Sequence, residues 1–320
     1  MTERTCDLTL NFPHASIHSD SQDRLLNLCS LSEGKVIKSD GKTWPWPPNR
    51  NMRKLFRLLF RLRKRLGRDL EIEITNGSSH YRFQCESLLE FARCMKMFIK
   101  EPGTCSWIME EVKPGEIFYD IGANIGAYTI LAARSTGENG KVFAFEPHCP
   151  SFSRLLNNIR ANNLEHIVTP CNFALHDQEG FFSFNYFSGE AATSHSQIGS
   201  AQGDSKLDFQ PEISELKYSV SIDCLIFSNE FPPPHHIKID VDGNELLILE
   251  GMSALLKSPK RPKSIQVEID NKPGKGEIMS FMDRHKFFLA AKHHTRPGLK
   301  RISLGQDPED LLYNAIFRPE

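Results

Sequence analysis

The sequence predicts an α/β fold whose main part is a doubly wound, mostly parallel sheet, preceded by a smaller α+β region. Two segments carry this prediction. In the first, an apolar strand ends at Asp120 and continues through a turn with Gly122 and Gly126 into an apolar helix. In the second, an apolar strand ends at Glu146. A strand, a tight glycine turn and a helix in this order are typical of the nucleotide-cofactor turn of doubly wound folds.

The glycine spacing selects the class of cofactor. A dinucleotide turn has the pattern G-x-G-x-x-G, whose second glycine lets the backbone approach a pyrophosphate. Counted from Gly122, that pattern requires glycine at two positions where the chain has Asn124 and Ala127. A cofactor without phosphate does not need this approach. The turn therefore favours S-adenosyl-L-methionine (SAM), with its ammonium group on Asp120 and its carboxylate on turn amides. The cofactor residues predicted in this segment are Asp120, Gly122, Ala123, Asn124 and Gly126.

The ends of the next two strands complete the predicted cofactor site. A carboxylate at the end of the second strand of such a sheet faces the ribose hydroxyls, which assigns that role to Glu146. The third strand, near residues 167–174, places Asn172 and Ala174 against the adenine. Both assignments use the rule that ligands bind outside the carboxyl ends of parallel strands.

The fourth strand predicts the residues that carry the chemistry. It runs over 236–241, the fifth runs over 264–269, and Asp240 and Asp242 point into the same crevice as the cofactor residues. Methyl transfer to a hydroxyl requires a positioned base, because an alcohol is a poor nucleophile until its proton is removed. We rank Asp240 first as this base. Strand alternation puts Lys238 on the same side, either as its ion-pair partner or as a substrate contact.

Asp242, two histidines and a metal ion are the alternatives to Asp240 as the group that activates the hydroxyl. His236 begins the fourth strand, and His195 can reach the site on a loop, which makes it a further candidate catalytic residue. A divalent metal acidifies the hydroxyl in some methyltransferases. Asp240, Asp242 and Glu245 carry suitable oxygens, but Glu245 already belongs to the following helix. We therefore expect no required metal.

Five segments, in this order along the chain, resemble the FkbM-type SAM-dependent methyltransferases. They are FYDIGANIG at 118–126, VFAFEP at 142–147, IKIDVDGNE at 237–245, VEI at 267–269 and NAIFR at 314–318. The resemblance covers roughly residues 100–320 and implies a Rossmann-like, seven-stranded SAM-methyltransferase sheet whose last strand, 311–318, runs antiparallel. It also implies O-methylation of a hydroxyl on a sugar, a glycolipid or polysaccharide, or a related natural product.

Composition limits the class of protein. With 320 residues, 39% hydrophobic and 25% charged, the chain has room for one large α/β domain and an extension. The formal net charge of −1 gives no steering field for nucleic acid. The chain has no apolar run of about 20 residues and no apolar signal-peptide core. Its 8 cysteines include no C-x-x-C pair. We expect a cytoplasmic protein with reduced thiols.

The first hundred residues lie outside the resemblance. We predict a partly irregular N-terminal arm at 1–49, a basic amphipathic helix plus β-hairpin at 50–99, and the methyltransferase domain at 100–320. The hairpin is indicated by alternating residues around an Asn-Gly pair at 76–77. The helix at 50–68 either contacts an anionic membrane or packs on the catalytic domain. In the first case the protein would be peripheral at the inner membrane face. Substrate shaping and a homodimer contact stay open as roles of this region.

A serine-rich stretch separates the third and fourth strands. Residues 186–217 predict a long loop, and long loops above a rigid sheet often carry selectivity. The piece 193–197, which contains His195, is a candidate lid over the site. The alternative is a surface insertion without a role in the site.

Other functional classes remain as alternatives. A methyltransferase of nucleic acid or protein is one, but the turn after the fourth strand is Asp-Val-Asp-Gly instead of the N/D-P-P-Y/F turn of many base-modifying enzymes. The net charge also argues against nucleic acid. A nicotinamide-dependent dehydrogenase conflicts with Asn124 and Ala127, and a non-catalytic SAM-binding module is the third alternative. We expect a small-molecule or glycan substrate and no nucleic acid.

Overall fold

The computed structural model describes residues 54, 57–58, 70–199, 210–269 and 275–320 in full, and the backbone of four short strands before them. The chain divides into two compact units, residues 1–95 with 160–163 and residues 96–159 with 164–320. The strands are β1 Cys6–Thr9, β2 Leu28–Ser32, β3 Lys35–Lys38, β4 Thr43–Pro45, β5 Leu70–Asn76, β6 Ser79–Cys85, β7 Ile117–Ile121, β8 Lys141–Phe145, β9 Val168–Cys171, β10 Ala174–Leu175, β11 Gly180–Tyr186, β12 Gln197–Ile198, β13 Ile213–Val220, β14 His236–Ile239, β15 Ser264–Ile269, β16 Phe287–His294 and β17 Tyr313–Pro319. The α-helices of the described residues are α1 Leu88–Met95, α2 Met97–Lys100, α3 Pro102–Glu111, α4 Ala127–Thr136, α5 Cys149–Ala161, α6 Ile222–Phe227, α7 Glu245–Glu250, α8 Ser253–Lys257, α9 Lys275–Arg284 and α10 Arg296–Ser303.

The second unit is built on a seven-stranded sheet with the strand order β16-β17-β15-β14-β7-β8-β9. β14 pairs in parallel with β7 and β15, and β8 pairs in parallel with β7 and β9. β17 lies antiparallel between β15 and β16. The predicted Rossmann-like seven-stranded sheet with an antiparallel last strand is therefore confirmed. That last strand occupies Tyr313–Pro319 instead of 311–318.

One face of the central strands is apolar. All four residues of β14 are buried, and its Ile237 and Ile239 belong to the main hydrophobic core. Residues from the helices on this side, including Leu225, Leu249 and Phe281, complete that core. Parallel strands are covered by helices on both faces, which explains why their sequences read as nearly continuous apolar runs.

The opposite face of the same strands is polar, and we call it the polar face. It carries the buried side chains of Asp120, His236, Lys238, Ser264 and Gln266. Side chains alternate between the two faces of a strand, so these residues share one face by register. Helices α3 and α4 cover it: Trp107 Nε1 donates to Ser264 Oγ at 2.9 Å, and Thr129 Oγ1 donates to Asp120 Oδ2 at 2.6 Å.

The third strand and the following loop differ from their predictions. The predicted strand 167–174 is split, because Val168–Cys171 joins the central sheet while Ala174–Leu175 pairs with β13 in a second sheet. The predicted loop 186–217 contains β12 and the start of β13. In β13, Leu216 is 71% exposed while Lys217 is only 7% exposed. Because the exposed residue is apolar and the buried residue is charged, the hydrophobic pattern does not predict this strand.

The first unit contains the predicted hairpin. β5 and β6 pair antiparallel, with Asn76 opposite Ser79, and Gly77 has a φ of 61° in the turn. The basic helix predicted at 50–68 lies almost wholly outside the described residues, of which 54, 57 and 58 are helical. The division of the first 99 residues into an arm and an accessory unit stays a prediction. Among the described residues, no helix has the length and apolar character needed to cross a bilayer.

Candidate active site

The turn after β7 requires glycine at its first position. Gly122 has a φ of 78°, and a Cβ placed there would lie 2.0 Å from the backbone oxygen of Asp240. A side chain at this position would therefore combine left-handed strain with a collision against the chain that leaves β14. Asn124, with a φ of 52°, and Gly126, with a φ of 89°, continue the left-handed path into α4. The turn thus brings the ends of β7 and β14 together.

The backbone amides of this turn are all engaged within the protein. Gly122 N and Ala123 N donate to Phe145 O, both at 3.0 Å. Asn124 N donates to Glu146 Oε2 at 2.6 Å. The two that follow are paired as well, Ile125 N with Asn124 Oδ1 at 3.0 Å and Gly126 N with Ala123 O at 2.9 Å. A pyrophosphate needs free turn amides, so this turn suits a cofactor without phosphate.

The engaged amides also change what the turn offers to the methionine end of SAM. None of the amides from Gly122 to Gly126 is free to donate to the cofactor carboxylate. The turn therefore does not supply the amide donor that we expected for the SAM carboxylate. The cofactor role of Gly122, Ala123, Asn124 and Gly126 stays a prediction that relies on the shape of the turn and its carbonyl groups.

Asp120 lies behind the turn and not on its surface. Its side chain is 1% exposed, Thr129 donates to its Oδ2, and Lys238 Nζ lies 3.6 Å from its Oδ1. Burial raises the pKa of Asp120, and the positive charge of Lys238 opposes that rise. A direct contact of Asp120 with the SAM ammonium group is a prediction that this buried position does not favour.

The structure brings Glu146 and Asn172 together beside the turn. Glu146 is 5% exposed, and its carboxylate accepts from the backbone amides of Asn124 and of His148, the latter at 2.8 Å. Asn172 Nδ2 donates to Glu146 O at 2.8 Å, and Lys217 Nζ donates to Asn172 Oδ1 at 2.9 Å. The Glu146 carboxylate is thereby held beside the turn. Its ribose role stays a prediction.

Ala174 is separated from this group by its strand. It is buried and pairs with Ser219 in the second sheet. Its predicted adenine contact is therefore an expectation that follows only from its closeness to Asn172 in the chain.

Lys238 and Asp240 form an ion pair at the end of β14. Lys238 Nζ lies 2.8 Å from Asp240 Oδ2 and 5.2 Å from the centre of the Tyr128 ring. Burial alone would lower the pKa of Lys238, but Asp240 and Asp120 raise it above its ordinary value. The side chain of Lys238 is 1% exposed while that of Asp240 is 27% exposed. The carboxylate of Asp240 is therefore accessible from the crevice, while the cation that pairs with it is buried.

The candidate lid contacts the turn after β7, but His195 contacts Asp242 and not Asp240. Asn124 Nδ2 donates to Thr193 O at 2.8 Å, which fastens the lid to the turn. His195 N donates to the Asp242 carboxylate, and His195 Nδ1 lies 3.5 Å from Asp242 Oδ1. The structure thus places His195 beside Asp242 instead of Asp240. The other histidine considered as a base, His236, lies at the opposite end of β14.

The comparison with known sequence families identifies the domain. A model described as the methyltransferase FkbM domain matches residues 120–289, more than half of the chain. The chain belongs to the FkbM methyltransferase family. A hexuronic acid methyltransferase, AglP, from Haloferax volcanii is 32% identical over 177 residues. That match covers 55% of this chain and 66% of the relative, so it spans less than two thirds of the relative's own length.

The solved structures that the chain resembles have lower sequence identity. Methyltransferase FkbM from Methylobacillus flagellatus KT has 17% identity and a TM-score of 0.41, over 62% of this chain and 43% of that one. Precorrin-6y C5,15-methyltransferase from Geobacter metallireducens GS-15 has 14% identity and a TM-score of 0.39, over 68% of this chain and 86% of that one. Neither is close enough to bear on the chemistry of the site.

Two glutamates of this FkbM domain were not assigned from the sequence. Burial, followed by the charges of Asp240 and Glu101, raises the pKa of Glu268 to about 9. Burial, with Asp240 and Asp242, raises the pKa of Glu245 to about 7. For Glu268 a signal existed, because it is a lone acidic residue between apolar residues near the end of a strand that neighbours β14. Perturbed titratable groups in a crevice are typical of functional sites.

The carboxylates of the crevice do not form a metal site. Among the described residues, no group of three or more His, Cys, Asp or Glu side chains is arranged to hold a metal ion. The expectation that the reaction needs no metal stays a prediction.

Proposed function

We propose that this chain is a SAM-dependent O-methyltransferase that acts on a hydroxyl of a sugar, a glycolipid or polysaccharide, or a related natural product. The observation that carries the proposal is the partly exposed carboxylate of Asp240, held at the end of β14 by the buried Lys238. The family and the named activity of the Haloferax relative, a hexuronic acid methyltransferase, support a sugar acceptor.

The residues of the crevice suit SAM. The turn has no free amides for a pyrophosphate, and carboxylates at the end of β14 and the start of α7 suit a cationic cofactor: Asp240, Asp242 and Glu245. Glu146 and Asn172 would hold the ribose and the adenine, and the turn from Gly122 to Gly126 would lie against the methionine part. When bound, SAM supplies an electrophilic methyl group on a positively charged sulfur.

Asp240 acts as the base in this proposal. It accepts the proton of the acceptor hydroxyl, so that the oxygen keeps the electron pair that forms the new O–C bond, while the pair of the broken S–C bond stays on sulfur. Lys238, whose Nζ lies 2.8 Å from Asp240 Oδ2, fixes the orientation of this carboxylate. Because Asp240 is 27% exposed, it can return its proton to solvent after each turnover.

The change Asp240→Asn tests this role. We expect turnover to fall by about 10²–10⁴-fold, since a positioned base contributes rate enhancements of that size. The affinity for S-adenosylhomocysteine should stay within a few-fold of wild type, because the amide keeps the shape of the carboxylate. Transfer of a labelled methyl group to glycan fractions measures the first, and calorimetry measures the second.

The exposed Asp283→Asn on α9 is the matched control, and it should leave both quantities unchanged. Wild-type turnover in Asp240→Asn would remove Asp240 from the mechanism. Cofactor binding without methyl transfer to any fraction would favour the non-catalytic module, and transfer to protein or nucleic acid would favour that alternative.

Contact of the segment 50–68 with an anionic membrane rests on its sequence alone. A basic amphipathic helix binds anionic lipid through apolar burial and charge. We expect flotation with anionic liposomes at low salt and none with neutral ones. No flotation with anionic liposomes would instead favour the alternative, in which the helix packs on the catalytic domain. A homodimer contact through the N-terminal region is likewise a prediction from the sequence.

A further inference from the structure

Two carboxyl groups lie on neighbouring strands at the carboxyl end of the polar face. Val267 of β15 pairs with Ile239 of β14, so Glu268 and Asp240 are the next residues on the two neighbouring strands. Neighbouring strands lie about 4.8 Å apart. Strand alternation also puts Glu268 on the polar face with Gln266. Glu268 therefore adjoins the base of the proposed reaction.

Polar groups without a hydrogen-bond partner among the described residues lie on the same strand as Glu268 and on the neighbouring strand. Asn314 of β17 lies opposite it in the antiparallel register. Asn314 Nδ2 donates to Thr104 Oγ1 at 3.3 Å, but Asn314 Oδ1 has no hydrogen-bond partner among the described residues, although the side chain is 2% exposed. Both amide atoms of Gln266, which is 0% exposed, also lack a partner among those residues. Buried polar groups are almost always paired, so this cluster indicates a place where a polar ligand binds.

The charges that face Glu268 come from three elements. Asp240 follows β14, Lys238 lies within it, and Lys100 and Glu101 lie at the junction of α2 and α3. Both cations are already paired, Lys238 with Asp240 at 2.8 Å and Lys100 with Glu101 at 2.6 Å. Burial and the two carboxylates therefore outweigh the lysines, and the pKa of Glu268 rises to about 9. This shift favours the neutral carboxylic acid of Glu268, a form that can donate a hydrogen bond.

We propose that Glu268 and Asn314 bind the methyl acceptor beside Asp240, with the Glu268 carboxyl group hydrogen-bonded to a second hydroxyl of the acceptor. The inference rests on the proposed function and adds a substrate class to it. That class is the uncharged vicinal diol of a sugar ring, as opposed to the carboxylate of a uronic acid.

The charge arrangement explains the preference. One hydroxyl of a diol gives its proton to Asp240, and the oxygen of its neighbour accepts from Glu268, while Asn314 Oδ1 can accept from a further hydroxyl. A carboxylate in the same place would face the anions of Asp240 and Glu101, and the nearest cations are held in ion pairs. Like charges in a poorly solvated site repel strongly, so this pocket disfavours an anionic acceptor group.

The first test is sugar binding to the complex of the protein with S-adenosylhomocysteine. Saturation-transfer NMR with methyl glucoside and methyl glucuronide at pH 7 compares a neutral and an anionic probe that carry the same ring diols. We expect binding of the glucoside and much weaker binding of the glucuronide. Glu268→Ala should weaken glucoside binding about tenfold, which corresponds to the loss of one hydrogen bond. Glu268→Gln should restore most of it, since an amide still donates.

The second test is the pH dependence of glucoside binding. Raising the pH through about 9 ionises Glu268, which removes the donor and adds a negative charge, so affinity should fall over that range. In Glu268→Gln this alkaline loss should be absent. A merely structural role of Glu268 would not give a pH dependence that the isosteric amide abolishes.

The exposed Glu277→Gln on α9 is the control variant for both tests. Stronger binding of the glucuronide, equal binding by Glu268→Ala and the control, or no binding of either sugar by protein that holds S-adenosylhomocysteine would overturn the inference. These results leave the proposed function in place. Failure to bind S-adenosylhomocysteine would instead remove the proposed function, and this inference with it.

Discussion

The two ends of the polar face are made from the same strands, yet they differ in how completely their polar groups are paired. At the amino end, Trp107 Nε1 donates to Ser264 Oγ, which lies 2.7 Å from His236 Nδ1, and His236 Nε2 lies 3.0 Å from Glu116 Oε2. One arrangement of protons satisfies every one of these groups. At the carboxyl end, Gln266 and Asn314 Oδ1 have no partner among the described residues.

Two glutamates show the same contrast electrostatically. Burial acts to raise the pKa of Glu116, but Lys263, the Lys113 amide and His236 lower it to about 2. Burial raises the pKa of Glu268 to about 9, because carboxylates and paired lysines surround it. A group stabilised in its charged form is typical of a structural network, whereas a group held away from its ordinary charge state is typical of a functional site.

The largest effect should distinguish the lysines of the two ends. Lys238→Met removes the buried cation that lies 3.6 Å from the buried Asp120, and breaking a buried pair in this way costs about 3–5 kcal/mol. Lys263→Met at the amino end should cost less than about 1 kcal/mol, because Lys263 is 62% exposed and screened by solvent. Urea unfolding measures both free energies. Similar losses would contradict the assignment of Lys238 to a buried ion pair.

A smaller effect should separate two neighbours on β15. Ser264→Ala leaves His236 and Trp107 without their shared partner, and we expect a loss of about 1–3 kcal/mol. Gln266→Met should cost less than about 1 kcal/mol or stabilise, since it replaces unpaired amide atoms by apolar ones of similar size. Thermal unfolding of the two variants compares them directly. The opposite order would show that the pairing difference between the two ends has no energetic consequence.

The smallest effect should appear in the pH dependence of Glu116→Gln. The folded-state pKa of Glu116 is lowered from 4.5 to about 2, so its contribution to stability is present above pH 4.5 and is lost as pH falls towards 2. We expect the variant to be less stable by about 1–2 kcal/mol at pH 7. The difference in free energy of unfolding between wild type and Glu116→Gln, measured by urea titration, should become smaller as the pH is lowered from 5. A constant gap over that range would show that Glu116 does not act through its charge.

Several features could be predicted from the sequence because they depend on local chemistry. Apolar runs that end in acidic residues predicted strands of the central sheet, and Gly122 with Gly126 predicted the turn. The missing glycines at Asn124 and Ala127 excluded a pyrophosphate turn, and the engaged amides of the structure give the same answer independently.

Other features could not be predicted because they depend on register between distant segments. Glu268 meets Asp240 only because β15 pairs with β14 at a defined register, and Asn314 joins them from a strand near the end of the chain. The direction of β13, with Leu216 outward and Lys217 inward, is set by its neighbours in the second sheet and not by its own pattern.

The sequence by itself determined the fold class and the family, and it predicted the class of cofactor and the candidate base. Each of these is encoded in short segments whose backbone preferences and residue types act locally. Only the tertiary structure decided which carboxylates are paired, in which direction their pKa values shift and which polar atoms of the described residues lack a partner. These properties arise from burial and from the charges of groups far apart in the chain, and electrostatic energies depend on distance and solvation that no single segment contains.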